Sequence, residues 1–353
     1  MNTFLYLIGS LIVTIISFLP LKLICFIGRQ LGFIFYYIDS GHRNVAVNNL
    51  TNSLGNSRSK NEIIFLAKEN FRRLGEVYLS AIKTCHLSLE NLSDVLSIKG
   101  INHLNFSKRD DGSNPSFMFA IGHFGNFELY ANAGLFAPQF DVGTTYRGFN
   151  QPWVEKLISK IRNKSGCHYF DRRFEGKKLL SFMKQPNSVT GLLADQNAGR
   201  SGIELPLFGI PCSTNPAPAI FSLRYNLRLH CCLCRRISLG RWELELGPEI
   251  PTHIKGNARS VNDIMVDINS TYEEYINEDP ANWFWVHNRW KRPDRAKKRP
   301  TNMGLLKLIN LCVATLSRPH WHNYVEKWMV CLNNSRAQLI GKLKINLVYI
   351  QSL

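Results

Sequence analysis

The chain has 353 residues, of which 45% are hydrophobic and 20% are charged. This composition predicts a buried core and excludes a mainly disordered chain. The 43 basic and 26 acidic residues leave a formal charge of +17, which favours a polyanionic partner such as nucleic acid, an anionic membrane surface or an acidic carrier protein. The charge alone does not decide among these partners.

The first 38 residues predict a membrane anchor. Residues 1–21 contain no charged side chain, and residues 4–19 are almost wholly apolar. A helix needs roughly 20 apolar residues to cross a bilayer core about 30 Å thick, so this segment is just long enough or slightly short. A cleaved signal peptide is disfavoured, because a basic n-region and a small-residue cleavage site are missing. A buried core helix is the other alternative.

A second apolar stretch continues to Ile38 and is interrupted by Arg29. It is typical of a helix that lies along the membrane interface, with Lys22 and Arg29 toward the lipid headgroups. These two cations and Arg43 place the remainder of the chain in the cytoplasm by the positive-inside tendency.

The remainder predicts an α/β fold. Apolar residues between positions 43 and 96 recur at three- and four-residue spacing, which indicates helices. From position 116 onward strands alternate with helices, which predicts a mostly parallel central sheet flanked by helices. The predicted strands are 116–121, 168–170, 188–194, 227–236 and 241–247, and the predicted helices are 126–136, 152–164, 177–184, 217–226 and 261–279.

The only cysteine cluster is Cys231, Cys232 and Cys234, which lies in the predicted strand 227–236. No second Cys or His pair stands at zinc-like spacing from it. Buried free thiols are therefore the preferred interpretation, with a metal site as the alternative.

A candidate catalytic pair follows the predicted strand 116–121. His123 stands at the carboxyl end of this strand, where α/β folds place ligands. Glu128 lies five positions later, on the predicted helix, from which it can reach the imidazole. An imidazole with an ordinary pKa of about 6.5 can take the proton of an attacking hydroxyl, and a carboxylate on its far nitrogen fixes the tautomer. The alternative is that His123 caps a helix and Glu128 is a solvated surface residue.

With its flanks, the segment GHFGNFE (122–128) resembles the HxxxxD/E box of the lysophospholipid acyltransferase superfamily. It resembles most closely the bacterial lipid A biosynthesis late acyltransferases of the lauroyl and myristoyl type. The resemblance covers roughly residues 1–295. Four further blocks follow in the family's order: TYR (145–147) with Pro152 and Leu157 to Arg162, GLLADQNAG (191–199), LPLFGIPCST (205–214) and DPANWFWVHNRWK (279–291).

The resemblance implies an acyltransferase in which His123 is the general base and Glu128 orients it. It implies an acyl–acyl carrier protein donor and a hydroxyl of a Kdo-modified lipid A precursor as acceptor, without a metal or redox cofactor. The positive charge then has two acidic partners, the anionic lipid and the carrier protein, and nucleic acid is not expected. The catalytic domain would lie on the cytoplasmic face of the inner membrane.

The resulting domain prediction is a membrane anchor at 1–38, an acyltransferase domain at 39–295, and a basic linker with a C-terminal tail of unknown role at 296–353. The linker begins in the proline-punctuated run KRPDRAKKRP (291–300).

Four further residues are predicted to bind substrate. The planar fork of Arg147 suits phosphate or carboxylate, with a surface ion pair as the alternative. Asp195 follows an apolar strand and could order the loop under the site or bind Arg147, whereas bare sequence statistics favour a cap or turn former. Arg289 and Lys291 lie in the aromatic run near the end of the domain. They could hold headgroup phosphates, and a packed core segment is the alternative.

The basic clusters Arg172–Arg173 and Lys177–Lys178 are typical of a solvated surface, and carrier-protein docking is the alternative.

The sequence leaves two alternative functions open. The first is an acyltransferase of the same superfamily with a glycerophosphate or mannoside acceptor, which the missing NHxxxxD box and EGTRS-like segment disfavour. The second is a non-catalytic basic module that binds membrane or nucleic acid. No RNP-like aromatic motif, zinc finger or helix-turn-helix signature supports the second alternative.

Overall fold

The computed structural model of the chain describes residues 2–109 and 112–291. The predicted tail at 296–353 lies outside the described residues. The α-helices are α1 (Asn2–Phe18), α2 (Leu21–Ile38), α3 (Ser40–Leu54), α4 (Lys60–Thr84), α5 (Leu89–Ser93), α6 (Ala133–Phe136), α7 (Pro152–Arg162), α8 (Gly176–Met183), α9 (Ala217–Tyr225) and α10 (Val261–Glu278). The strands are β1 (Leu96–Lys99), β2 (Phe117–Ile121), β3 (Asp141–Tyr146), β4 (His168–Asp171), β5 (Ser188–Leu193), β6 (Ile203–Leu207), β7 (Ile210–Thr214), β8 (Arg228–Ser238), β9 (Arg241–Glu249), β10 (His253–Ile254) and β11 (Asn257–Ala258).

Seven strands form the central sheet in the order β1-β9-β8-β2-β5-β3-β4. Every neighbouring pair is parallel except the hairpin β8–β9. The predicted α/β class with a mostly parallel sheet is thus confirmed.

Both faces of the sheet are buried, as is typical of parallel sheets. On β2, Met118 and Ala120 belong to the hydrophobic cluster that includes Ile264 and Ile268 of α10. Ile121 belongs to a second cluster on the other face. The cysteines of β8 are buried free thiols, in agreement with the preferred interpretation of that cluster.

Three parts of the sheet topology were not predicted from the sequence. Strand β1 lies at the end of the stretch that was expected to be helical, and β3 has the polar sequence DVGTTY, which lacks an apolar run. The hairpin β6–β7 turns at Phe208 and Gly209, which have φ values of 55° and 68°. The predicted helix 126–136 is a 3₁₀-helix (Phe127–Asn132) followed by the short α6.

Helix α2 packs closely on α4. A Cβ atom added at Gly32 would lie 2.0 Å from the carbonyl oxygen of Phe71, so this contact requires glycine. Arg29 donates to Glu69 at 2.9 Å and to Glu76 at 3.4 Å. The expectation that Arg29 points toward headgroups was therefore wrong, because two carboxylates of α4 bind its guanidinium inside the protein.

The outward faces of both N-terminal helices are apolar. Exposed apolar side chains on α1 recur at three- and four-residue spacing: Phe4, Leu7, Leu11, Ile15 and Phe18. Helix α2 exposes a second row, which includes Leu23, Phe26, Ile34 and Ile38. Among the described residues, α2 is the helix that is long and apolar enough to cross a membrane, while α1 is shorter. The sequence had favoured the first segment as the span.

Candidate active site

The site lies at the carboxyl edge of the two adjacent strands β2 and β5. Ile121 pairs with Leu193 in the parallel register, and the Ala194 N–H continues the ladder by donating to Ile121 O at 3.0 Å. His123 and Asp195 each stand two positions beyond that pair. Parallel pairing therefore brings two residues 72 positions apart in sequence to the same point of the sheet edge.

The Asp195 carboxylate accepts three hydrogen bonds. Its Oδ1 lies 2.8 Å from Nδ1 of His123, and its Oδ2 accepts from the His123 backbone N–H at 2.7 Å and from the Trp283 indole at 2.9 Å. Burial alone would raise the pKa of Asp195, but the charge and donors of His123 and the indole of Trp283 lower it to about 2. The ionised carboxylate thus holds the proton on Nδ1 and leaves Nε2 as an acceptor.

Aromatic rings hold the imidazole of His123 from its sides. Its centroid lies 4.9 Å from that of Phe127 and 5.4 Å from that of Phe284. Its Nε2 lies 3.4 Å from Nε2 of Gln196. The ring is therefore fixed in orientation by packing as well as by Asp195.

Glu128 does not fill the position that the sequence predicted for it. It lies on the 3₁₀-helix Phe127–Asn132, and its carboxylate accepts from Arg162 of α7 at 2.7 Å and 3.3 Å. The carboxylate that is hydrogen-bonded to His123 belongs to Asp195. Glu128 and His123 nevertheless line the same cavity, and a catalytic role for Glu128 stays a prediction.

The remaining predicted cations differ in whether they line the cavity. Arg147 follows β3, is exposed and lines the cavity. The partners of Asp195 are His123 and Trp283, so the suggested bond between Asp195 and Arg147 is absent from the described residues.

Arg289 is 1% exposed, and its guanidinium donates to the backbone carbonyl of Ser213 and, at 2.7 Å, to the hydroxyl of Thr214. Burial lowers the pKa of Arg289. Lys291 is exposed, and its carbonyl accepts from the Asn197 side chain at 2.9 Å. Neither cation is among the described residues that line the cavity. The geometry favours the packed-segment alternative for Arg289.

Sequence reasoning missed His287, which lines the cavity in the aromatic run. Its Nε2 accepts the Asn197 backbone N–H at 3.0 Å. Burial lowers the pKa of His287 to about 4, so the ring is neutral near pH 7. Two segments of the sequence could have indicated His287 and its partner Asn197: ADQNAG after β5 and VHNRW, which contains the histidine. Both follow apolar runs and are rich in polar side chains.

The cavity has a volume of about 1310 Å³, which exceeds the roughly 300–1,000 Å³ of ordinary ligand pockets. Its lining includes many apolar side chains: Phe117, Phe119, Ile121, Phe136, Phe140, Leu244 and Leu246. The lining also includes charged and titratable groups: His123, Glu128, Arg147, Arg162, Arg172 and His287. The cavity that contains the oriented imidazole therefore offers apolar surface to a long chain and charged side chains to a polar group.

The family model for bacterial lipid A biosynthesis acyltransferases matches residues 1–292. Two relatives are each 23% identical over 277 residues, which cover 77% of this chain and 86% of the relative: a lipid A biosynthesis palmitoleoyltransferase from Escherichia coli (strain K12) and a lipid A biosynthesis acyltransferase from Shigella flexneri. These matches confirm the resemblance that the sequence motifs indicated. The chain therefore belongs to the bacterial lipid A biosynthesis acyltransferase family.

Proposed function

We propose that the protein transfers a fatty acyl chain from an acyl–acyl carrier protein thioester to a hydroxyl of a Kdo-modified lipid A precursor, on the cytoplasmic face of the inner membrane. The observation that carries the proposal is the 2.8 Å contact between His123 Nδ1 and the buried Asp195 carboxylate, beside a large cavity that His123 and many apolar side chains line.

In the proposed reaction, Nε2 of His123 takes the proton of the acceptor hydroxyl while its oxygen attacks the thioester carbonyl carbon. The C–O ester bond forms and the C–S bond breaks. The departing thiolate takes the proton back from the imidazolium. Asp195 is the positioning residue, because its negative charge stabilises the imidazolium and its contact to Nδ1 keeps Nε2 available.

The apolar lining of the cavity supports an acyl chain as the group transferred. Burying one methylene group contributes about 0.8 kcal/mol, so a long saturated chain gains several kcal/mol in this cavity. The reacting carbonyl would then lie beside His123, which lines the same cavity.

The N-terminal helices support a membrane location. Cations lie over aromatic rings beside the apolar row of α2, with Arg72 at 4.2 Å from the Phe33 centroid and Lys68 at 5.8 Å from the Tyr37 centroid. Aromatic and basic side chains next to an apolar surface are typical of the membrane–water interface. A lipid acceptor could then reach the site from the bilayer.

The test is acyl transfer by purified protein in detergent, with labelled acyl–carrier protein and the lipid acceptor. We expect His123→Gln to lower the rate at least 100-fold, because general-base catalysis contributes about 10²–10⁴. The matched control is His253→Gln, which replaces an exposed histidine on β10 and should leave the rate unchanged. Full transfer by the His123 variant, with an unchanged melting temperature, would exclude the mechanism.

A further inference from the structure

Two arginines stand side by side at the carboxyl edge of the sheet, beyond β3 and β4. Tyr146 pairs with Asp171 in the parallel register, and the Arg172 N–H donates to Tyr146 O at 3.0 Å. Arg147 and Arg172 directly follow that pair. Both side chains are exposed, and both line the cavity.

The carboxylates near these arginines already bind other donors. Asp171 accepts from Arg173 at 2.6 Å, and Glu175 from Lys178 at 2.7 Å. Glu155 accepts from the Tyr146 hydroxyl at 3.0 Å. Each carboxylate therefore binds a partner other than Arg147 or Arg172.

The cavity wall also leaves the pair without a counter-charge. Glu128 is the one carboxylate among the described lining residues, and it binds Arg162. Within the described part of the chain, the guanidinium groups of Arg147 and Arg172 have neither a hydrogen-bond nor an ion-pair partner. Two adjacent unpaired guanidinium groups repel each other, and a bound phosphate anion would offset that cost.

We propose that Arg147 and Arg172 form a phosphate-binding clamp for a phosphoryl group of one of the two substrates. A guanidinium fork matches phosphate geometry and binds it through two parallel hydrogen bonds. The clamp lies two and three strands from His123 in the sheet order, which is roughly 10–14 Å at the usual strand spacing. The clamp thus positions a phosphate at that distance from the reacting carbonyl.

The clamp rests on the proposed function for the identity of the phosphate. That phosphate is either a sugar phosphate of the lipid acceptor or the phosphodiester that joins the thioester arm to the carrier protein. Both present anionic phosphoryl oxygens that can accept hydrogen bonds from the two guanidinium groups, and the experiment distinguishes them.

The experiment measures equilibrium binding by full-length protein carrying His123→Gln, so that no turnover occurs. One arm compares the phosphorylated lipid acceptor with its dephosphorylated form. The other arm compares acyl-phosphopantetheine with an acyl-pantetheine that lacks the phosphate, so that docking of the acidic carrier protein does not contribute. Each ligand is titrated into Arg147→Gln, Arg172→Gln and the matched control Arg224→Gln, which removes an exposed arginine of α9 that does not line the cavity.

We expect each clamp variant to weaken binding at least tenfold in one arm, and to have no effect on the phosphate-free ligand of that arm. That arm identifies the source of the phosphate. Arg172→Lys, which keeps the charge and loses the fork, should lie between the wild type and Arg172→Gln. Equal losses with and without phosphate in both arms, or no loss in either arm, would overturn the clamp.

Binding without turnover also separates the clamp from the proposed function. Clamp-dependent binding together with an absence of acyl transfer by the protein with native His123 would reject the function and retain the clamp. Acyl transfer that is insensitive to both arginine variants would reject the clamp and retain the proposed function.

Discussion

Replacing Asp195 by asparagine tests which carboxylate orients His123. In the native site Oδ2 accepts two donors, the His123 backbone N–H and the Trp283 indole, and Oδ1 faces Nδ1 of the imidazole. An asparagine has a single acceptor oxygen. It keeps both fixed donors satisfied only if that oxygen takes the Oδ2 position, which places the NH₂ group against Nδ1. Nδ1 must then accept a hydrogen bond, so the ring proton moves to Nε2.

The expected result is a folded protein with a disabled base. A tautomer held in this wrong state costs about 10⁴ in kcat in enzymes with an Asp–His pair, so we expect kcat for Asp195→Asn to fall by about 10³–10⁴. Three hydrogen bonds to a charged acceptor become neutral ones. At about 1 kcal/mol each, this change lowers the free energy of unfolding by about 3 kcal/mol.

The assay compares kcat for Asp195→Asn and Glu128→Gln, with urea unfolding of both variants in the same detergent. Glu128 binds Arg162, so its loss should change the tautomer of His123 little, and kcat should fall less than for the Asp195 variant. If Asp195→Asn keeps kcat within about threefold of the wild type while Glu128→Gln abolishes it, the orienting role assigned to Asp195 is refuted.

Gly32→Ala should destabilise the α2–α4 contact by about 3 kcal/mol through overpacking, since its Cβ would lie 2.0 Å from the Phe71 carbonyl oxygen. Differential scanning calorimetry should show a lower melting temperature for this variant. The melting temperature of Gly41→Ala should be unchanged, because its Cβ meets nothing closer than 3.5 Å. Burial lowers the pKa of His287 to about 4, so the unfolded chain binds the proton at a higher pH than the folded protein. Stability should therefore fall as the pH drops from about 6.5 to 4, by about 3 kcal/mol. Urea unfolding at pH 7 and pH 4.5 should show this loss in the wild type and a smaller one in His287→Gln, and equal losses would contradict the assignment.

Local patterns were enough to identify much of this fold. Helix α10 carries apolar residues at three- and four-residue spacing, and its buried residues include Ile264, Ile268, Tyr272 and Ile276. Strand β2 is a short apolar run, so its end at Ile121 places His123 at a carboxyl edge. Strand β3 escaped recognition because DVGTTY has no apolar run, and only pairing with β5 and β4 makes it a strand.

The sequence by itself determined the family, the mostly parallel sheet and His123 as the candidate base, because short motifs and hydrophobic spacing are local properties. Only the tertiary structure decided which carboxylate meets the imidazole. Strand order places β5 beside β2 and brings Asp195 to His123, while Glu128 pairs with Arg162. The burial of Arg289 was likewise a tertiary outcome. Its acceptors lie on the distant strand β7, and a charged side chain is buried only where folding supplies such partners.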